Sequence, residues 1–484
     1  MKEINLDCLI LIFDILQDDK ESLYSCLLVN KKWCNIAVPI LWKKHTWCSD
    51  MNFRSEKKLF NVLLSFLPIS SKKLLSDNKI ELLPSTILKS PCFNYINFCE
   101  FPASHNVSQM ANTVLRGLYN YHKRSLLEQE IYKLFVHQCN NVKHLFWNTS
   151  QPIPFFPGAS TCFSKLYELR IDTDFVKSDA LYEMAHICKS LTTLYIYGIS
   201  DCSQILSGLI YLIDAQRNLE KICFHIEGDE KTREELSNAL VRNNNMISNL
   251  CLSSVKNIIP SSLISLVNLK KLTIYNWENY EVEIKEFQEY LAITEFQNLR
   301  YLNISNLSCF KEISLLIEKT KGGVLEISVE TANKAAKNTG MLIKAIAKNC
   351  PNIDYLSTYI EPNDFIHIKS LLLNCRNLKT IKLDGLKFFV DINDSNIGDE
   401  LLDVLVKFSP KSLDDIAISE CWKYSIEACE RFFESYRKQP LSSFGIIRYD
   451  ERIDRNYVTK EHKDIINKYF NEGVLKYADY RFYF

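Results

Sequence analysis

The sequence predicts an α/β protein built as an array of short parallel strands, each followed by a helix. Three observations lead there. A six-residue apolar pattern recurs along most of the chain; helix-periodic segments fill the gaps between its copies; and only 12 Gly and 13 Pro occur in 484 residues, which disfavours folds built on many tight glycine turns or on glycine-rich phosphate loops. The recurring pattern is an apolar residue, two others, an apolar residue, one other, and an apolar residue. Its copies begin at Phe93, Val142, Leu166, Leu191, Leu219, Ile247, Leu269, Leu299, Ile353, Leu378, Leu413 and Leu441, with a degenerate copy at Leu325-Glu326-Ile327. From Val142 to Leu441 the spacing averages about 27 residues, inside the range of one strand-plus-helix unit.

Each copy predicts a strand through Ile96-Phe98, Leu145-Trp147, Leu169-Ile171 and their counterparts. Between them, Ser178–Cys188, Gln204–Ala215, Lys231–Arg242, Leu342–Cys350 and Phe365–Cys375 place apolar residues at helical spacing. Four cysteines, Cys139, Cys188, Cys350 and Cys375, stand three positions before a strand pattern, where a small buried hydrophobe fits. The segment Gln151–Gly158 reads as an exposed, partly apolar loop, either a contact site or a connector packed on the array's edge. After Ile446 come Arg448, Arg452 and Arg455, and the aromatics from Tyr477 to Phe484 are expected to close the last repeat.

The first 48 residues stand apart. About 27 of them are apolar, too many for so short a segment to hide within itself. Cys8–Leu16 is apolar except at Asp14, so the helix it predicts is hydrophobic all round and must be covered on more than one side. Asp18 or Asp19 opens a turn, Ser22 reads as the N-cap of a second helix, and Asn30 ends it. A third helix carries Trp33, Ile36, Ala37 and Val38, with Pro39 interrupting before Leu41-Trp42. Lys57–Leu67 and Ile80–Leu88 read as further short elements. The expected domains are therefore residues 1–48, a helical linker and N-terminal cap over 49–90, and the repeat domain over 91–484.

Ile4-Asn5-Leu6-Asp7-Cys8-Leu9-Ile10-Leu11-Ile12-Phe13-Asp14-Ile15-Leu16, then Ser22-Leu23, Leu27-Leu28-Val29-Asn30-Lys31-Lys32-Trp33 and Leu41-Trp42 resemble an F-box. The family's usual Leu-Pro reads Ile4-Asn5 here, and its usual Glu is Asp7. The strand pattern is that of a leucine-rich repeat, and with its cysteines it resembles the repeats that accompany F-boxes. The resemblance implies a three-helix F-box followed by a leucine-rich-repeat solenoid, a horseshoe of roughly 12–13 irregular repeats. It implies a non-catalytic substrate receptor of an SCF-type ubiquitin ligase, docking on the Skp-type adaptor and through it on a cullin–RING ligase. The adaptor contacts it implies are Ile4, Leu9, Ile12, Phe13, Leu16, Leu23, Val29, Trp33, Leu41 and Trp42. Two other readings stand beside it: a repeat scaffold outside ubiquitylation whose N-terminal helices are a cap, and a receptor completed by a small molecule.

Alternation along the strands puts the residues between the apolar ones on one face. There Phe146, Arg170, Tyr195, Tyr197, Tyr275, Tyr301, Tyr355 and Tyr359 are the candidate contacts to a protein substrate, since Tyr and Arg dominate binding hot spots; strand propensity alone also favours Tyr. Arg170 is the sole Arg expected on that face, which argues against phosphate-dependent recognition. Formal net charge is zero, with 58 Lys+Arg against 58 Asp+Glu, so no basic field points to nucleic acid. The 17 Cys are scattered without C-x-x-C spacing, which predicts neither a metal site nor a disulfide framework and fits a reducing, cytoplasmic or nuclear setting. No secretory signal and no membrane span is expected. No cofactor is expected, and no nucleophile elbow, dinucleotide fingerprint, phosphate loop or H-E-x-x-H motif points to catalysis.

Overall fold

The computed structural model describes residues 5–47, 51–82, 91–115, 120–199, 202–276, 284–333, 335–386, 396–447 and 457–479. The chain is an α/β protein that divides into two compact units, residues 1–219 with 226–232, and residues 220–225 with 233–484. Ile4, residues 83–88 of the expected Ile80–Leu88 element, Arg448, Arg452, Arg455 and the aromatics from Tyr480 onward lie outside the described residues.

The first unit opens with α1 (Leu6–Ile15), α2 (Lys20–Leu27) and α3 (Lys31–His45). Leu9, Phe13, Leu23, Cys26, Ala37 and Leu41 close a small common core. Its caps differ from the expected ones. Asp19, not Ser22, caps α2: its carboxylate accepts the Ser22 N–H at 3.0 Å and the Ser22 hydroxyl at 2.6 Å, because two oxygens can serve both donors. Asn30 starts a helix as well as following one, accepting the Trp33 N–H at 2.9 Å. Pro39 lies inside α3 without ending it. Its missing N–H costs one helical hydrogen bond, and the burial of Ala37, Val38 and Leu41 around it holds the helix through.

Next come α4 (Phe53–Ser65), α5 (Ile69–Asp77), α6 (Ser104–Leu115) and α7 (Tyr121–Gln138). The expected strand at Phe93-Ile96-Phe98 is instead a single 3₁₀ turn, Tyr95–Phe98. Its apolar spacing serves a turn whose Ile96 is fully buried, and a short apolar run cannot by itself distinguish strand from turn. The repeats begin with β1 (His144–Trp147), α8 (Ala159–Phe163), β2 (Glu168–Asp172), α9 (Ser178–Ile187), β3 (Thr193–Tyr197) and α10 (Leu206–Asp214). The strands pair in parallel and in register, Leu145 beside Leu169 and Leu169 beside Leu194. The Gln151–Gly158 loop is a packed connector: Ile153 and Phe156 are buried, and Gln151 Nε2 donates to the Ser125 carbonyl at 3.1 Å. Gly158 sits at φ +96°, where an added Cβ would come within 3.0 Å of the Val136 carbonyl oxygen, so both conformation and space require glycine.

The second unit holds β4 (Lys221–His225), most of α11 (Glu230–Arg242), β5 (Asn249–Leu252), β6 (Lys271–Tyr275), α12 (Lys285–Ile293), β7 (Tyr301–Ser305), α13 (Phe310–Glu318), β8 (Glu326–Glu330) and α14 (Thr339–Asn349). It continues through β9 (Tyr355–Tyr359), α15 (Ile366–Asn374), β10 (Thr380–Asp384), α16 (Ile397–Phe408), β11 (Asp415–Ser419), α17 (Ile426–Ser435), β12 (Ser443–Ile447), α18 (Lys460–Asn471) and β13 (Ala478–Asp479). From β4 to β13 each strand lies beside its sequence neighbours, and the pairs are parallel. The copy read as degenerate is regular one residue away, with Val324, Ile327 and Val329 all buried. Between β5 and β6 two 3₁₀ turns, Val255–Asn257 and Pro260–Ser265, replace the helix.

The four repeat cysteines cap α7, α9, α14 and α15 at their C-terminal ends and are buried. The Cys188 thiol donates to the Met184 carbonyl at 3.1 Å, and Cys375 to that of Cys350 at 3.3 Å. Burial pushes the Cys188, Cys350 and Cys375 thiols up to about 12, so they stay neutral hydrophobes.

At Gly208 α10 approaches α9 closely, since a Cβ there would lie 2.5 Å from the Ser178 carbonyl oxygen. Gly208→Ala is expected to cost about 1–3 kcal/mol in urea unfolding despite alanine's better helix propensity. Gly323→Ala, whose Cβ would meet nothing closer than 3.8 Å, should shift stability by less than about 0.5 kcal/mol.

Candidate functional site

Helix α1 carries apolar side chains on most of its circumference, broken by Asp7 and Asp14, and among the described residues the side bearing Leu9 and Phe13 is the covered one. Leu9 and Phe13, four apart, face the small core, where Trp33 packs edge-on against Phe13 with ring centroids 5.5 Å apart. The other faces stay open: Leu11 is 63% exposed, Ile12 41% and Ile15 82%, and at the end of α2 Leu28 is 89% and Val29 55% exposed. Large apolar side chains this open, adjacent in sequence on two helix segments, are the mark of an interaction surface.

The described residues among those expected to touch an adaptor therefore separate into three groups. Ile12 and Val29 are on the open surface. Leu9, Phe13, Leu23 and Leu41 are buried in the module's own core, and Leu16 and Trp33 pack against it, so they shape the surface without forming it. Trp42 is turned elsewhere, stacked on Tyr95 at 4.3 Å between ring centroids. That stack ties α3 to the 3₁₀ turn, and the Trp47 indole N–H, just past α3, donates to the Glu100 carbonyl at 3.0 Å. Composition showed that apolar surface was in excess; which stripe faced outward depended on the helix packing, and Leu11, Ile15 and Leu28 were missed for that reason.

The strand face carries a second constellation in the first unit. Arg170 Nε donates to Glu168 Oε1 at 2.6 Å, and its guanidinium lies 4.6 Å from the Tyr195 ring centre. Tyr195 and Tyr197 stack nearly parallel at 6.0 Å, and Phe146 meets Tyr197 edge-on at 6.5 Å. The four expected residues thus form one continuous Arg–aromatic row, with the cation neutralised by Glu168. Such a row offers flat, rigid contact area and a cation–π pair but no uncompensated charge for a phosphate.

In the second unit the expected tyrosines are spread along the strands. Tyr301 has the Lys271 ammonium 5.6 Å from its ring centre, and Tyr355 has that of Lys382 at 5.8 Å. Tyr355 and Tyr359 line a shallow hollow with Glu330, Lys382 and Asp384. Burial raises the Glu330 carboxyl, opposed by Lys382, and raises the Tyr355 hydroxyl. Tyr275 is not among the residues lining this hollow; it interacts with the thiols of Cys251 and Cys223 and, more weakly, with Glu330. Among the described residues no group of three or more His, Cys, Asp and Glu could hold a metal ion, and no helix is long and apolar enough to cross a membrane.

The buried Phe13 separates stability from recognition. Phe13→Ala should destabilise the three-helix module by about 3–5 kcal/mol, read as faster amide exchange across α1–α3 with exchange in β5–β10 unchanged. Equal loss of protection in both regions would show that the module is not a local cooperative unit.

Searches with the sequence add no relative to this picture: no protein-family model matches the chain, and no curated protein matches it.

Proposed function

We propose that the chain is a substrate receptor of an SCF-type ubiquitin ligase, its N-terminal helices docking on the Skp-type adaptor while the strand face holds a protein substrate. The observation that carries this reading is the open apolar face of α1 and the α2 end, from Leu11 to Val29. It falls within the segment that resembles an F-box, and it supplies the uncovered surface that an obligate partner would bury. On this reading the helices are an F-box and the strand–helix array is a leucine-rich-repeat solenoid. The chemistry required of the chain is proximity alone: holding substrate near a charged enzyme raises effective concentration without a catalytic side chain. The Arg170–Tyr195–Tyr197–Phe146 row supports a protein rather than a phosphate ligand, because it is aromatic and its cation is paired.

Co-expression with a Skp-type adaptor tests it. The full chain should co-elute with adaptor on size exclusion. Ile15→Lys, which changes an open side chain, should weaken that binding by at least about 30-fold while thermal unfolding stays within about 0.5 kcal/mol of wild type. A folded full chain that fails to bind adaptor would overturn the proposal, and would leave the helices as a cap on a repeat scaffold.

A further inference from the structure

Two cysteines occupy the same place in successive strands and meet on one face of the second unit. β4 and β5 pair in parallel with Cys223 opposite Cys251. Neighbouring strands lie roughly 4.8 Å apart, within the span of about 4.4–6.8 Å over which Cα pairs can be bridged by a disulfide. Cys223 is buried and Cys251 is partly open. His225, two residues beyond Cys223 and so on the same face, places Nε2 3.9 Å from Cys251 Sγ.

The setting favours a thiolate at Cys251. A hydrogen bond from Cys223 pulls the Cys251 thiol well below its ordinary value; desolvation opposes this, and His225 and Lys221 add to it. The titratable and charged groups around it are Lys221, Cys223 and His225 on β4 and Tyr275 on β6, whose hydroxyl is raised by burial and by the two thiols. Lys271, also on β6, lies over the Tyr301 ring. This is the reverse of the helix-end cysteines Cys188, Cys350 and Cys375, which burial pushes up to about 12. Reactive thiols sit in such partly open, electropositive surroundings.

We propose that Cys251 and Cys223 form a hydroperoxide-responsive dithiol, with Cys251 the attacking thiolate and Cys223 the resolving thiol. The Cys251 sulfur attacks the terminal oxygen of a hydroperoxide and the O–O bond breaks. A Cys251 sulfenic acid forms, and the departing alkoxide or hydroxide takes up a proton from solvent water. Cys223 sulfur then displaces the sulfenic oxygen, which leaves as water with the Cys223 thiol proton, and the S–S bond forms. The sulfur pair has lost two electrons and the peroxide has gained them; a dithiol reductant reverses the bridge.

The test uses the reduced full chain, stoichiometric hydrogen peroxide, thiol blocking and peptide mass spectrometry. The expected product is a Cys223–Cys251 linked peptide pair, lost in Cys251→Ser, whereas in Cys223→Ala a dimedone adduct accumulates on Cys251. In the untreated wild-type chain, iodoacetamide at about pH 6 should label Cys251 at least about tenfold faster than the exposed Cys8 and Cys92. Labelling of Cys251 no faster than Cys8, or oxidation without the linked pair, would overturn the assignment, and both are read on wild-type protein whatever the variants do to folding.

Discussion

Everything in the two units rests on one packing requirement: a strand of four or five residues with two inward apolar side chains cannot bury them alone. Ile222, Leu250, Leu272 and Leu302 are each covered because the next strand presents its own apolar residue at the same register. Parallel pairing in register is thereby enforced, since slipping by one residue would put Lys221, Asn249 or Lys271 into the apolar layer. The register also makes the strand face usable, because each intervening side chain lands beside its counterpart in the next repeat. The Arg170–Tyr195 pair and the Cys223–Cys251 pair are both products of that alignment.

The apolar spacing made the strands from β1 to β12 readable, because the spacing is itself the burial requirement. The helices α9, α11, α14 and α15 could be located for the same reason, and the buried cysteines at helix ends followed from side-chain size. What remained unreadable depended on packing partners. The pattern at Phe93-Ile96-Phe98 matched the strand spacing, yet it is satisfied by Ile96 burying under a 3₁₀ turn, where Tyr95 stacks on Trp42. The helices α6 and α7 went unassigned; in α7 the apolar periodicity is weak, and Glu130 is buried on it. Pro39 was read as an interruption, since sequence shows the lost donor but not the buried neighbours that outweigh it.

The candidate sites divide along the same line. The strand-face tyrosines were legible by alternation, but the contacts among them were not: Arg170 as the partner of Glu168 required the three-dimensional arrangement. The thiol pair had a sequence signal that goes unread when cysteines are sorted only by C-x-x-C spacing. Aligning the strand patterns of β4 and β5 places Cys223 and Cys251 at the same outward position, 28 residues apart in the chain and adjacent in the sheet. In a repeat fold the informative spacing is the repeat length rather than a local motif.

The N-terminal module shows why an excess of apolar residues is a stronger statement than their identity. A helix of ten residues has room for one stripe against a two-helix partner, and α1 spends Leu9 and Phe13 on it. Its remaining apolar side chains, Ile12 and Ile15 among them, contribute nothing to the module's own core. A chain selected only for folding gains nothing from such exposure and incurs an aggregation liability. Substituting polar residues there would leave the core intact, so packing within the module does not account for the outward stripe. The module's core residues and its open residues are thus apolar for different physical reasons, and a partner seated on α1 and the end of α2, as proposed above, is what would make the open ones useful.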